Sequence, residues 1–285
     1  MKVNFIGMGA IGLPMALQIH RAGHATTGMD VMTEACERAA AQGITAVNRV
    51  SDLPASDAVV VMVATPDQLA RLVDEAIGKA PRDLAGQHWI IMSTVGPASV
   101  REQGERLRSA GASVVDAPVT GGVARARTGE LVIFAAGEAD DIDAVRPVLE
   151  AMGVVRTTGT ALGDGQAIKV VNQHLCSVHI VAAAEALSLA RSLGLDAAQV
   201  LPLIEKGAAG SWMLSDRGPR MLAGTDVEVT SAINIFVKDS GLVADAARGC
   251  GAQVPLLDIA HSRYCQAADA GLGARDDSRV IETWQ

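Results

Sequence analysis

From Gln166 to Leu193 the chain runs 28 residues without a proline or a glycine, and alanine is frequent along it. At 1.5 Å of rise per residue that stretch predicts a single helix about 42 Å long. The chain differs in character on its two sides. Before it, short apolar runs alternate with amphipathic stretches. Strands are expected at Val3–Ile6, Ala25–Met29, Ala58–Val63, His88–Met92 and Ser113–Val115. Between them helices are expected from near Ala10 to Ala22, and at Thr33–Gln42 (Thr33 as N-cap), Pro66–Ile77 and Pro97–Ser109. The unbroken apolar run of Ala58–Val63 is the mark of a parallel strand covered on both faces. Leu131–Ala135 and Val154–Arg156 are expected to extend the sheet around a helix near Ile142–Met152. Alternation of this kind predicts βαβ units and an α/β, doubly wound parallel sheet. After residue 160 the punctuation changes to Gly159, Gly163 and Gly165, and beyond the long helix only helical segments follow: Asp196–Lys206, Trp212–Leu222, Ile233–Arg248 and Pro255–Ala270. The division expected is 1–162 for the sheet domain and 163–285 for an all-α C-terminal domain that starts with the long helix. That helix, with SVHIVAAAEALSLA in its middle, is apolar nearly all round, which predicts a buried position. A small helical domain offers few such positions, so a subunit interface and a homo-oligomer, dimer or tetramer, are expected.

Composition removes several functional classes. The 285 residues carry a net charge of -8, and a phosphate backbone needs a basic face, so nucleic acid is not an expected partner. Aromatic residues make up 2%, too few for a base-stacking platform. The four cysteines (36, 176, 250 and 265) form no C-x-x-C pair, the six histidines form no H-E-x-x-H, and no metal is expected. No run approaches the ~18 apolar residues of a membrane span, and Met1–Ile6 enters a strand pattern directly. The expectation is a soluble cytoplasmic protein that uses its thiols as small hydrophobes.

Phe5-Ile6-Gly7-Met8-Gly9-Ala10-Ile11-Gly12 is G-x-G-x-x-G following a strand and opening a helix. Gly7 suits a tight turn, Gly9 lets a pyrophosphate approach the backbone, and Gly12 lets helix and strand pack closely. The amides of Met8, Ala10 and Ile11 lie near a helix N-terminus, which favours an anion. Asp30 closes the second strand, where an acid accepts hydrogen bonds from the ribose hydroxyls and repels a 2′-phosphate. Val31 and Met32 follow, with no arginine, so NAD is expected over NADP. The sheet domain is therefore expected to be of Rossmann type.

Four blocks in order resemble the β-hydroxyacid dehydrogenase family, which includes 3-hydroxyisobutyrate dehydrogenase and tartronate semialdehyde reductase. They are GMGAIGLPMA near the N-terminus; Asp116-Ala117-Pro118-Val119-Thr120-Gly121-Gly122; Gly163-x-Gly165-x-x-x-Lys169-x-x-Asn172-Gln173; and Phe236-Val237-Lys238-Asp239-Ser240-Gly241-Leu242. Within the family, NQHLCSVHIVAAAEALSLA, Ala209-Gly210-Ser211-Trp212 and SAINIFVKDSGLV look most like the L-threonate dehydrogenase branch.

The resemblance implies an NAD-dependent oxidation of a small anionic hydroxy acid held between the two domains. It makes Lys169 the general acid/base. A lysine at a helix start, partly buried, is also expected to have its pKa pushed down toward a useful range. Asn172, three residues on and so on the same face, would orient the substrate hydroxyl. Gln173 points elsewhere at helical spacing and is a less secure substrate contact. Thr120, Gly121 and Gly122 are expected to bind the substrate carboxylate as an anion nest, with Thr120 in place of the family's serine. The family usually has glycine where this chain has Arg125. Arg125 and Arg127 either bring donors to an anionic substrate or face water. Lys238 is implied to reach the nicotinamide end of the cofactor, with Asp239 supporting the site. Thr94 is implied on the cofactor; Ala64 and Thr65 are expected on its adenosine side. Ser211 and Trp212 either close the substrate pocket or, for Trp212, belong to the core. Other substrates of the family remain open, as does a non-catalytic NAD sensor, a class that typically loses the lysine present here.

Overall fold

The computed structural model describes residues 1–78, 84–224 and 226–284, and divides into two compact units, Met1–Lys169 and Val170–Gln285.

In the first unit, five strands form a parallel array: β1 (Lys2–Ile6), β2 (Ala25–Met29), β4 (Ala58–Val61), β5 (His88–Ile91) and β6 (Ser113–Asp116), with β3 (Thr45–Val47) parallel at the edge beside β2. The spatial order is β3-β2-β1-β4-β5-β6-β8-β7, where β7 is Val119–Thr120 and β8 is Leu131–Ala136; β9 (Gly153–Gly159) pairs with β8. Reversal of direction on either side of β1 is the doubly wound arrangement. Along β4 the side chains alternate between two cores. Ala58 and Val60 join Phe5, Met15, Ile19 and Ile90 on one face, while Val59 and Val61 join Ile6, Leu69, Val73 and Leu107 on the other. That two-sided burial explains the uninterrupted apolar run. The sheet is not wholly parallel: β8 runs antiparallel to both β6 and β7, and β9 returns parallel to β8.

The connecting helices are α1 (Gly12–Arg21), α2 (Thr33–Ala40), α3 (Pro66–Gly78), α4 (Pro97–Ser109), α5 (Gly122–Thr128) and α6 (Ala139–Glu150). Thr33 is the first helical residue of α2 rather than its N-cap. Met32 holds the cap position, and no side chain caps the helix. Asp30 Oδ1 accepts from the Met32 amide at 2.9 Å, an Asx-type turn that sets the helix start one residue early.

Helix α7 (Asp164–Ser192) begins in the first unit and supplies the second with its longest element. In the second unit Ile180, Ala184 and Leu187 of α7 pack with Phe236, Tyr264, Val280 and Ile281. The surrounding helices are α8 (Ala197–Ile204), α9 (Trp212–Leu222), α10 (Ile233–Cys250) and α11 (Pro255–Ala267). Asp196 caps α8 by accepting from the Ala198 amide, and Ser211 caps α9 by accepting from the Leu214 amide. The chain closes with a 3-10 segment, Asp277–Trp284, whose first five residues are buried. Among the described residues, α7 is the one helix long and apolar enough to cross a membrane by length and composition. Its unbroken apolar runs stay short, interrupted by Ser177, His179, Glu185 and Ser188, so no run of about 18 apolar residues occurs.

Candidate active site

The glycine cradle has the geometry its spacing calls for. Gly7 adopts φ +97°, and a Cβ there would fall 2.3 Å from the Met62 carbonyl oxygen. At Gly12 a Cβ would sit 1.9 Å from the Gly7 carbonyl oxygen, so turn and helix fit only without side chains. A Cβ at Gly9 would meet nothing within 4 Å, leaving that backbone open to an approaching group. The Leu13 amide donates to the Gly9 carbonyl oxygen at 3.1 Å, and the positive end of the α1 dipole at this loop favours an anion such as a phosphate. Asp30 braces the loop: Oδ2 accepts from the Met8 amide at 2.8 Å while Oδ1 holds Met32. Met8 is thus committed to Asp30 through its amide, and its side chain is buried beneath Gly28. Ala10 is exposed at the mouth of the loop, and Ile11 is half-buried against the core. The open backbone at Gly9 and the helix start behind it fit a dinucleotide phosphate.

At the next strand edge, Thr65 Oγ1 accepts from the Gln68 amide at 3.2 Å, and Gln68 Oε1 accepts from the Ala64 amide at 2.8 Å. Thr65 therefore caps α3, and the Gln68 side chain reaches back to the Ala64 amide. Ser93 is buried and Thr94 half-buried after β5.

A buried polar cluster of this unit lies outside the residues that the sequence singles out for the site. Asp116, at the end of β6, is fully buried. Its Oδ2 accepts from the amides of Gly163 and Gln166, both at 3.0 Å, and its Oδ1 accepts from Gln166 Nε2 at 3.1 Å. Burial pushes the carboxyl up to about 6, against the opposing pull of those donors. Gln166 also donates from Nε2 to Ser93 O and accepts at Oε1 from the amides of Val95 and Gly96. One turn further along α7, Lys169 is 6% exposed, so it is not a solvated helix-start lysine. A single sequence carries no mark of Gln166, since a buried carboxamide and a solvated one read alike.

Thr120 pairs with Val132 across β7 and β8, and Gly121 (φ +130°) and Gly122 (φ +67°) follow in conformations that favour glycine. Gly121 lies under the Arg125 side chain. Arg125 and Arg127 are both exposed. Arg127 shares a surface groove with Arg21 and Arg38 along the outer side of α1.

In the second unit, four of the expected residues form one hydrogen-bonded chain. Lys238 Nζ lies 2.7 Å from Asp239 Oδ1. Asp239 Oδ2 accepts from Gln173 Nε2 at 2.5 Å, and Gln173 Oε1 accepts from Asn172 Nδ2 at 2.9 Å. Helical spacing turns Gln173 away from Asn172, yet the two carboxamides meet, because the neighbouring α10 supplies the acceptor that draws Gln173 inward. Gln173 and Asp239 are both buried. Ser211 spends its hydroxyl on the α9 cap, and Trp212 is 48% exposed, not core, with the Arg217 guanidinium 5.6 Å from its ring centroid. Also unforeseen was the Arg217 fork on Asp277, with Nε to Oδ1 at 3.1 Å and Nη2 to Oδ2 at 2.9 Å. Among the described residues no group of three or more His, Cys, Asp or Glu could hold a metal ion.

Residues 2–163 match the family model for the NAD-binding domain of 6-phosphogluconate dehydrogenase. Residues 163–284 match that for the NAD-binding domain of NADP-dependent 3-hydroxyisobutyrate dehydrogenase. L-threonate dehydrogenase of Cupriavidus necator is 36% identical over 99% of this chain and 95% of its own. The crystal structure of 3-hydroxyisobutyrate dehydrogenase from Salmonella typhimurium covers 99% of both chains at 32% identity, with a TM-score of 0.91. That of the Mycobacterium tuberculosis 3-hydroxyisobutyrate dehydrogenase with L-serine covers 100% of this chain and 99% of its own at 31% identity, with a TM-score of 0.85.

Proposed function

The chain belongs to the β-hydroxyacid dehydrogenase family, and on that premise we propose that it oxidises an L-threonate-type sugar acid, with Lys169 as the proton carrier. It is an NAD-dependent oxidoreductase acting on a CH–OH group of a small hydroxy acid. NAD, when held here, would supply the hydride acceptor for the alcohol carbon. Gly7 to Gly12 and Asp30 would hold the dinucleotide through the cradle and ribose, with Thr94, Ala64 and Thr65 along its path and Lys238 at the nicotinamide end. Thr120, Gly121 and Gly122 would take the substrate carboxylate through a hydroxyl and unshielded amides. Lys169 Nζ would accept the hydroxyl proton as the carbonyl forms, and return it in the reverse direction. Asn172 would orient that hydroxyl, positioned by Gln173 and Asp239 behind it. Ser211 and Trp212 would border the substrate.

The observation that carries the lysine's role is its burial, 6% exposed, with the amide of Asn172 three residues on along the same helix. The sugar-acid preference is carried by the near-full-length similarity to L-threonate dehydrogenase. A second reading, oxidation of 3-hydroxyisobutyrate or L-serine, draws on the two similar crystal structures. The discriminating experiment is an NADH-absorbance assay with NAD against L-threonate, 3-hydroxyisobutyrate and L-serine, and with NADH against tartronate semialdehyde. L-threonate is expected to give the highest kcat/KM, and Lys169→Met is expected to lose turnover while still binding NADH. Normal turnover in that variant removes Lys169 from the mechanism.

The reading includes a cytoplasmic homo-oligomer. Ile168, Val171 and Leu175 form an exposed apolar stripe on α7, and Leu189 adds to it near the far end. Sedimentation at micromolar concentration is expected to show a dimer or tetramer, and a stable monomer contradicts it.

A further inference from the structure

We infer that Gln166 is a positioning residue whose carboxamide bolts the Ser93–Gly96 loop and the end of β6 to the first turn of α7, fixing Thr94 and Lys169 relative to one another. The inference rests on the reading of Lys169 as proton carrier and goes beyond it in assigning what holds the lysine's helix in place.

A carboxamide offers two hydrogens and two lone pairs. Gln166 uses all four on different partners: Nε2 on Ser93 O (3.0 Å) and Asp116 Oδ1 (3.1 Å), Oε1 on the amides of Val95 and Gly96 (both 3.1 Å). Its own amide then donates to Asp116 Oδ2, which also takes the Gly163 amide. The start of α7 is therefore capped by a carboxylate some fifty residues away in sequence, in the place an N-cap side chain would fill. Close approach is enforced at Gly165, where a Cβ would lie 2.5 Å from Phe134 O and 3.0 Å from Asp116 Oδ2. Thr94 sits between two residues whose backbone groups Gln166 holds. Lys169 is one turn beyond the capped amide. No other side chain of this size supplies two donors and two acceptors. A simpler account makes Gln166 an ordinary core bond with no bearing on turnover, and the experiment separates the two.

Gln166→Glu keeps the shape and both acceptor bonds, loses both donors and places a second carboxylate against Asp116. The other charged side chains around this turn are Asp164, which accepts from the Ala161 amide, Arg101 of α4, which donates to Leu162 O, and Lys169 itself. At pH 8 the variant is expected to lose about 100-fold in kcat on the best substrate of the panel, the scale of a small misplacement of reacting groups. Toward pH 5.5, a proton shared between the two carboxyls restores a donor, and at least tenfold of the loss is expected to return relative to wild type. Amide exchange followed by mass spectrometry is expected to accelerate together in residues 93–97 and 161–168. Faster exchange in one segment alone, or kcat within threefold of wild type at pH 8, overturns the inference. If Gln166→Glu does not fold, Gln166→Met takes its place, with the same paired exchange expected and no recovery at any pH. Lys169→Met run alongside keeps the two readings apart. Turnover surviving in it defeats the proton-carrier reading while paired exchange upholds the bolt; turnover lost in it, with unpaired exchange in the Gln166 variants, defeats the bolt alone.

Discussion

Gln173 Nε2 donates to Asp239 Oδ2 at 2.5 Å, and this bond makes α10 the anchor for the polar side chains of α7. The Lys238 ammonium on the other carboxylate oxygen and the Asn172 carboxamide at the far end complete the chain. Asp239→Ala leaves a buried amide donor without its acceptor and an ammonium without its partner. The variant is expected to lose about 2 kcal/mol in urea denaturation and at least tenfold in kcat/KM, since Asn172 is no longer held. A loss under 0.5 kcal/mol, on the order of an exposed pair, would show that the chain does not bear on stability.

Asp30 has two jobs, bracing Met8 and Met32 and presenting charge where the ribose is expected. Asp30→Ala is expected to raise KM for NAD about tenfold and to shift the NADP-to-NAD ratio of kcat/KM toward NADP by at least as much, because the repulsion of a 2′-phosphate is gone. Steady-state kinetics with both cofactors checks this. An unchanged ratio excludes Asp30 from cofactor discrimination.

The Asp116 carboxyl, raised to about 6 by burial, gives a stability effect of definite sign. Between pH 4 and pH 6 the folded protein keeps a proton that the unfolded chain has released. Stability from this group therefore falls as pH rises through that window, by roughly 3 kcal/mol in all, and levels off above it. Asp116→Asn does not titrate. Its destabilisation relative to wild type is expected to be larger at pH 5 than at pH 7 in paired melting curves. Equal differences at the two pH values would mean that Asp116 does not titrate in this range.

Asp277 is fully buried and takes both arms of the Arg217 fork. Asp277→Ala leaves the buried Arg217 guanidinium with Asp216, 2.5 Å from Nη1, as its remaining carboxylate, and is expected to cost about 3 kcal/mol in chemical denaturation. Arg217→Met with Asp277→Leu together is expected to recover much of that loss, since a buried pair is replaced by apolar volume. Failure of the double variant to exceed Asp277→Ala in stability would show that the pair itself, not the charge left behind, matters.

Much of this protein is readable from sequence because its elements announce themselves locally. The cradle from Gly7 to Gly12, the apolar runs of β4 and β5, and the helices Pro97–Ser109 and Trp212–Leu222 stand where periodicity and punctuation place them. What escaped is decided by distant partners. The three-residue strand Thr45–Val47 and the two-residue Val119–Thr120 are too short for any period, and the antiparallel course of Leu131–Ala136 depends on which strands it meets. The closing Asp277–Trp284 segment begins with Asp-Ser-Arg, a solvent-facing string by composition, and is buried because Arg217 meets it. Gln166 and the Gln173–Asp239 bond were hidden for the same reason: hydrogen-bond partners fifty to seventy residues apart leave no trace in local spacing. The roles of Asp30 and Thr65 as local braces were visible only once their amide partners were placed.

The three glycines of the cradle differ in what an alanine scan there would report. At residues 7 and 12 a methyl group collides with the protein's own carbonyl oxygens, at 2.3 Å and 1.9 Å. Inactivity after substitution at either position measures a broken turn and says nothing about contact with a nucleotide. At residue 9 the methyl group enters empty space. Weakened dinucleotide binding by a well-folded Gly9→Ala protein would therefore diagnose direct contact, which makes this the informative position for anyone mapping or redesigning the pocket.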